Sequence, residues 1–181
     1  MNSLRITGAG ALVALLATGA CGSNDGGETA LMRAAEEGYT ETVVALVESG
    51  ADVNTWDDNG ETALMRAAEE GHTETAVALL NLGADVNASD HYRETALTRA
   101  AVEGRMETAL VLLESGAEVQ AGRETALMRA AAEGHTETAL ALLEAGAEVN
   151  ARSSYGMTAL MFAERHEHAE TMLALVEAGA K

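Results

Sequence analysis

Two histidines near the end of the chain come closest to a metal-binding pattern. His166 and His168 flank Glu167, and imidazole and carboxylate groups are common zinc ligands. Residues two apart lie on different sides of a helix, so this spacing does not place both rings on one face. We therefore predict no metal site and no cofactor. A metal hydrolase built on these two histidines stays open as the enzymatic alternative.

The patterns that other kinds of catalysis require are also missing from the sequence. It holds no glycine-rich phosphate loop and no recurring set of Ser, His and Asp. Asp and Glu make up 29 of 181 residues, but they recur at a fixed period, which indicates duplication and not an acid–base pair. We therefore predict that the chain is not an enzyme.

The only cysteine, Cys21, lies in a context that predicts export and covalent modification. It follows a short segment with one positive charge, an apolar segment from Ile6 to Ala17, and small residues. This layout predicts a signal peptide over residues 1–20. The small residues that end in Cys21 resemble the lipobox of bacterial lipoproteins, although Thr18 stands where that motif usually has leucine.

The lipobox resemblance implies that Cys21 is acylated and becomes the first residue of a lipidated, flexible tether, residues 21–27. In such lipoproteins an aspartate after the cysteine favours the inner membrane. Gly22 stands there instead, so we expect an outer-membrane lipoprotein that faces the periplasm. Cleavage near Ala20 with release as a soluble periplasmic or secreted protein is the alternative, and a misread N-terminal helix is a third. No later stretch approaches the roughly 18 apolar residues of a membrane-spanning helix, so the lipid is the only expected membrane contact.

One phrase, Glu-Thr-Ala-Leu-Met-Arg-Ala-Ala, organises the rest of the chain. Its copies begin at Glu28, Glu61, Glu94, Glu124 and, in weakened form, Met157, at spacings of 33, 33, 30 and 33 residues. A fixed period in this range predicts a solenoid, because each unit buries its apolar face against its neighbours. We place the repeat domain at residues 28–181, with units near 28–56, 57–89, 90–121, 122–152 and 153–181.

The second unit illustrates the predicted plan of every unit. Thr62 is placed to cap a short helix from Ala63 to Glu70, and Gly71 has the freedom for a left-handed helix end. A second helix begins at His72-Thr73-Glu74 and ends before Gly83. In the second helices two sets of residues recur in register, and we predict that both form buried apolar columns. They are Val44, Val77, Leu110, Leu140 and Leu173, and then Leu46, Leu79, Leu112, Leu142 and Leu175.

The period, the helix pair and the Gly-Ala-Asp-Val-Asn ending of Gly83 to Asn87 together resemble the ankyrin repeat. This resemblance implies an all-α fold, an ankyrin-repeat solenoid of five helix-turn-helix repeats with short hairpin loops. The family's Thr-Pro-Leu-His is Thr-Ala-Leu-Met here, so we expect polar bridging between units to give way to packing. Glu167 stands where the family has glycine, and the fourth hairpin, near Gln120 to Arg123, is three residues shorter than the others.

Ankyrin proteins usually bind partners along the hairpin tips and the concave inner helices, so the resemblance implies candidate contact residues here. We expect Trp56, Tyr92 and Tyr155 to contribute most, because aromatic side chains are enriched in binding hot spots. The alternative for each is a side chain folded against its own hairpin. The candidate set is Trp56, Asp58, Asn59, Glu61, Glu69, Glu70, His91, Tyr92, Glu94, Val102, Glu103, Tyr155 and Arg165.

Arginine recurs four residues before glutamate in the first helix of four units, and Phe162 replaces it in the fifth. That spacing predicts an ion pair on one helical face. Either the pairs line a groove for a polar peptide or they form a solvated network inherited by duplication, and we favour the network. The pairs are Arg33 with Glu37, Arg66 with Glu70, Arg99 with Glu103 and Arg129 with Glu133.

A net charge of −18, spread over every unit, repels nucleic acid and favours a basic protein partner, although solubility alone is the alternative. The leading hypothesis is a monomeric ankyrin lipoprotein that binds a protein in the bacterial envelope. Two other functions stay open: an immunity or inhibitor protein that neutralises a toxic envelope enzyme, and an accessory factor in oxidative-stress defence. The sensitivity of a deletion strain to such an enzyme or to peroxide separates them.

Overall fold

The computed structural model of the protein describes residues 27–181. Within this range ten α-helices form five pairs, and each helix packs against its pair partner and against the same helix of the next unit. The predicted all-α solenoid of helix-turn-helix repeats is thus confirmed. The first helices of the units are α1 (Ala30–Glu36), α3 (Ala63–Glu70), α5 (Ala96–Val102), α7 (Ala126–Glu133) and α9 (Ala159–Arg165). The second helices are α2 (Thr40–Glu48), α4 (Thr73–Asn81), α6 (Met106–Glu114), α8 (Thr136–Glu144) and α10 (Ala169–Glu177).

A threonine begins every first helix. The Oγ1 atom of Thr62 accepts a hydrogen bond from the backbone N–H of Met65 at 3.4 Å, which satisfies one of the amides that a helix start leaves open. The equivalent threonines make the same bond at 3.2 to 3.4 Å. At the other end of α3, Gly71 adopts a left-handed conformation with φ 78°. The predicted limits of this helix, Ala63 and Glu70, are therefore confirmed.

Alanine supplies much of the contact between first helices. Ala35, Ala68, Ala101 and Ala131 are each 0% exposed, and such small side chains let neighbouring helices approach closely. One predicted column of the second helices is confirmed, because Leu46, Leu79, Leu112, Leu142 and Leu175 are at most 3% exposed.

The other predicted column is wrong as a core element. Val77, Leu110, Leu140 and Leu173 are 38%, 39%, 42% and 60% exposed. Leu110 and Leu112 are two residues apart, which is about 200° around a helix at 3.6 residues per turn. When Leu112 faces the core, Leu110 must therefore face solvent.

Met32, Met65 and Met128, which replace the family's histidine, are 1% exposed and packed in the core, as expected. Polar bridges nevertheless join the units from another position. In the second to fifth units, a side chain at the start of the second helix donates to a backbone carbonyl near the end of the first helix of the unit before. His72 Nε2–H donates to the Glu36 carbonyl at 2.8 Å, and Arg105 Nε–H donates to the Glu69 carbonyl at 3.0 Å. The same bond links His135 to Val102 at 2.8 Å and His168 to Ala132 at 3.0 Å. These bonds satisfy carbonyls that a helix end leaves without partners.

Each bridge requires the preceding unit to have glycine beside it. A Cβ atom on Gly38 would lie 2.7 Å from the ring of His72, and the φ of Gly38 is 72°. The fifth unit has Glu167 in this position with a φ of 61°, and its side chain is exposed. The left-handed backbone of Glu167 costs about 1–2 kcal/mol.

Glu167→Gly is therefore expected to stabilise the protein by about 1 kcal/mol, because glycine adopts positive φ without strain. For a chain of this size that corresponds to a rise in Tm of about 2–4 °C, measured by thermal unfolding. Gly38→Ala is the matched control and should lower Tm, since its Cβ meets the ring of His72. An unchanged or lower Tm for Glu167→Gly would contradict the strain.

Candidate partner-binding surface

A buried side chain fixes the conformation of each long hairpin. The first two long hairpins are closed by backbone bridges between Trp56 and Thr62 and between Ser89 and Thr95. Asp57 Oδ1 accepts hydrogen bonds from the backbone N–H groups of Asn59 and Glu61, each at 2.9 Å. Asp90 accepts from Tyr92 and Glu94 in the same way, each at 2.8 Å. Sequence analysis missed this role of Asp57 and Asp90, although both stand four residues before the repeated glutamate, as Ser153 stands four before Met157.

The three predicted aromatic tips are exposed. Trp56, Tyr92 and Tyr155 are 63%, 63% and 77% exposed, so the alternative of side chains folded onto their own hairpins is disfavoured. The chain has only five aromatic residues besides histidine, and three of them are on this one edge. Of the other two, Phe162 is buried and Tyr39 begins the second helix α2. The aromatic surface is thus concentrated on the hairpins.

Other predicted contact residues share this surface. Asp58, Asn59 and His91 are exposed on the hairpins. The backbone N–H of His91 donates to the carbonyl of Asn59 at 3.0 Å, so the first two long hairpins are joined at their tips. On or just after the first helices, Glu70, Glu103 and Arg165 are exposed, whereas Glu69 and Val102 are half-buried.

The recurring arginines of the first helices form ion pairs that differ from the predicted ones. The ion pairs that the structure shows for Arg66, Arg99 and Arg129 go to carboxylates of the hairpins and neighbouring units, and not to the glutamate four residues later. Glu61 lies between two arginines, at 2.6 Å from Arg66 and 2.7 Å from Arg99. Glu94 likewise lies 3.2 Å from Arg99 and 2.8 Å from Arg129. The charges form one continuous chain across three units.

Two candidate contact residues are held within this network. Glu61 is only 8% exposed, so it offers little surface for the partner contact that we predicted. Glu94 is half-buried between two arginines and is also committed to the network. The cause is position: each glutamate precedes the cap of a first helix, where the arginine of its own unit and that of the next unit both reach it.

Burial and the network act together on the titratable groups. Burial by itself raises the pKa of Asp57, but backbone N–H groups of Glu61 and Asn59 and the Arg66 guanidinium outweigh it and hold that pKa below its ordinary value. Glu69 differs, because burial raises its pKa above the ordinary value despite the opposing charge of Arg99. Burial therefore disfavours the Glu69 carboxylate even though it lies 3.4 Å from Arg99.

The structure gives no support to a metal centre within the part of the chain that it describes. Among residues 27–181 no group of three or more His, Cys, Asp or Glu side chains is placed to hold a metal ion. The rings of His166 and His168 stack with centroids 6.2 Å apart, and Nε2–H of His168 is already bonded to the Ala132 carbonyl. No helix in this range is long and apolar enough to cross a membrane. The predicted signal peptide and Cys21 lie outside the described residues.

A stack of helix pairs with an exposed row of hairpins defines a helical-repeat protein with a surface suited to binding. The family model described as ankyrin repeats (3 copies) matches residues 55–123 and 120–181, and the model described as ankyrin repeat matches residues 26–58. The chain belongs to the ankyrin repeat family. Ankyrin repeats indicate a protein–protein interaction module. No curated protein matches the chain significantly over its sequence.

Arg99 is the most connected member of the network, and its removal should be costly. Its guanidinium lies within 3.4 Å of carboxylates from Glu61, Glu69, Asp90 and Glu94, and the Asp90 side chain is 0% exposed. Arg99→Met leaves the buried Asp90 carboxylate, and that of Glu69, without an arginine partner, so we expect a loss of about 3–5 kcal/mol in the free energy of unfolding, measured with urea. Arg165→Met, at an exposed arginine, should change it by less than about 0.5 kcal/mol. Equal effects of the two changes would contradict a stabilising network.

Proposed function

We propose that this protein binds a protein partner along its hairpin tips and the adjoining surface of its first helices. The observation that carries the proposal is the row of exposed aromatic side chains, Trp56, Tyr92 and Tyr155, on one edge of the solenoid. Covering a large apolar side chain is worth about 1.5–3 kcal/mol. The buried aspartates beneath the first two tips hold their hairpins in place, so little entropy is lost when a partner binds.

The charge of the surface favours a basic partner. Asp58, Glu70 and Glu103 are exposed around the first two long hairpins, and the whole chain carries −18. Glu69 adds a carboxylate that burial disfavours and that a partner cation would stabilise. Complementary charge accelerates association and disfavours wrong partners, so an acidic surface of this extent selects for basic proteins. A toxic basic enzyme of the envelope is one partner with this chemistry.

The proposed location is the bacterial envelope, with the solenoid held at a membrane by acylated Cys21. Support comes from the apolar segment before Cys21 and from its small neighbours. Six residues between Cys21 and Glu28 reach at most about 20 Å when extended, so the repeats would lie close to the membrane surface.

Trp56→Ala with Tyr92→Ala is expected to weaken the complex by more than ten-fold. Each truncation removes an aromatic contact, and a ten-fold change corresponds to about 1.4 kcal/mol. The measurement is a crosslinked pull-down from native envelope fractions, followed by titration of the captured partner against both forms of the protein.

Tyr39→Ala is the matched control, because Tyr39 is also a half-exposed aromatic residue, at 51%, but stands at the start of α2, away from the hairpins. It should leave affinity unchanged. A partner that binds the double variant as tightly as the unchanged protein, or that is lost equally with Tyr39→Ala, would contradict the proposed surface.

Cys21→Ser tests the anchor separately. The unchanged protein should fractionate with membranes and enter solution only with detergent, because acyl chains hold it there. The variant should lose the lipid and its detergent requirement, as followed by metabolic labelling with a fatty acid and by fractionation. Identical fractionation of both forms, without label on either, would exclude the lipid anchor while leaving the binding surface untouched.

A further inference from the structure

A notch interrupts the row of hairpins where the fourth unit contributes its short loop. Its cavity of about 140 Å³ lies between the Tyr92 and Tyr155 hairpins. Three arginines, two glutamates and both tyrosines line it: Arg93, Arg123, Arg129, Glu94, Glu124, Tyr92 and Tyr155. Since a water molecule occupies about 30 Å³ of liquid, the notch has room for the carboxylate and stem of one side chain.

Two of the three arginines in the notch have no internal counter-ion. Arg129 is already bound to Glu94 at 2.8 Å and to Glu124 at 3.3 Å. Arg93 and Arg123 are exposed, and neither forms an ion pair within residues 27–181. The two glutamates that line the cavity, Glu94 and Glu124, both pair with Arg129, so Arg93 and Arg123 leave the cavity with more positive than negative charge. This is the reverse of the acidic surface around the first two tips.

The position of these two arginines in the repeat makes them unusual. Both stand directly before the repeated glutamate, at Glu94 and Glu124, where the other units have Gly27, Gly60 and Gly156. Those glycines have φ of 75°, 84° and 76°, and Arg93 keeps this left-handed conformation with a φ of 68°. A side chain in that conformation costs about 1–2 kcal/mol relative to glycine, so the arginine is held there despite strain.

We infer that the notch receives an acidic side chain of the partner, whose carboxylate is bound by Arg93 and Arg123. The guanidinium fork donates two parallel hydrogen bonds to a carboxylate, which favours this ligand geometrically as well as by charge. The aliphatic stem of that side chain lies between Tyr92 and Tyr155. This inference rests on the proposed function, and it gives the partner a specific pattern: basic opposite Asp58 and Glu70, with one acidic residue opposite the notch.

The pattern also fixes the direction in which a partner lies along the solenoid. A partner in the reversed orientation would place its acidic residue against Asp58 and its cations against Arg93 and Arg123. The reversed orientation is disfavoured because it brings like charges together in the interface. The notch therefore acts as a specificity determinant, and the aromatic tips supply affinity.

The test is a titration of the isotope-labelled full chain with two short blocked peptides, followed by NMR of the arginine Nε–Hε groups. Acetyl-Ala-Glu-Ala-amide should shift the signals of Arg93 and Arg123 in a saturable, millimolar manner, and acetyl-Ala-Gln-Ala-amide should not. Arg93→Asn with Arg123→Gln should reduce the affinity at least ten-fold. Asparagine tolerates positive φ, so this variant keeps the hairpin.

Lys181→Gln is the control for loss of a positive charge outside the notch, because Lys181 is exposed and does not line the notch. It should leave the titration unchanged. Equal responses to the Glu and Gln peptides, or equal losses in the control and in the notch variant, would overturn the inference.

The peptide titration separates this inference from the proposed function. Saturable binding of the Glu peptide together with a partner that ignores Trp56→Ala and Tyr92→Ala supports the notch and refutes the partner surface. No response to the Glu peptide, together with a partner that requires the aromatic tips, refutes the notch and leaves the partner surface intact. If the Glu peptide binds and the partner also requires the aromatic tips, the notch variant should weaken the partner complex at least ten-fold.

Discussion

The bridge between one unit and the next is the interaction on which the rest of the solenoid depends. In each unit after the first, a ring or guanidinium begins the second helix and donates to a carbonyl near the end of the first helix of the unit before. His72 donates to Glu36 in this way at 2.8 Å. The bond forms only because glycine, such as Gly38, leaves room for the ring. It fixes the offset between units, so that equivalent residues lie side by side along the whole stack.

That offset turns a repeated motif into a connected network of charges. Glu61 reaches Arg66 of its own unit and Arg99 of the next, and Glu94 links Arg99 to Arg129 in the same way. Such a network is weak evidence for stability by itself, because burying charges has a cost. Its structural consequence is clearer: buried Asp57 and Asp90 belong to it and also hold the hairpins, so the tips rest on a fixed base.

How far the sequence could predict the structure depended on how local each feature is. The limits of α3 followed from Thr62 and Gly71, because capping involves residues within one turn. Exposure of the three aromatic tips was also anticipated, since the repeat places them in the hairpins. The role of Glu61 could not be predicted, because its second arginine is 38 residues away and only the stacking of units brings them together.

Sequence analysis missed two further features. Exposure of Val77 and Leu110 follows from helical geometry that the register pattern alone obscured. The strained backbone of Arg93 could not be seen until its φ was compared with that of the glycines in other units. Residues that depart from the repeat therefore have different consequences. Glu167 replaces glycine with a strained backbone at φ 61°, whereas Arg93 and Arg123 line a cavity.

The central claim is that one edge of this solenoid is covered by a protein partner in the cell. The most direct measurement places a photo-crosslinking phenylalanine analogue at position 56, 92 or 39 in turn and irradiates living cells. We expect the same discrete adduct from positions 56 and 92 and none from position 39. Adducts that form equally from position 39, or none from any position while the protein is folded and abundant, would contradict the account.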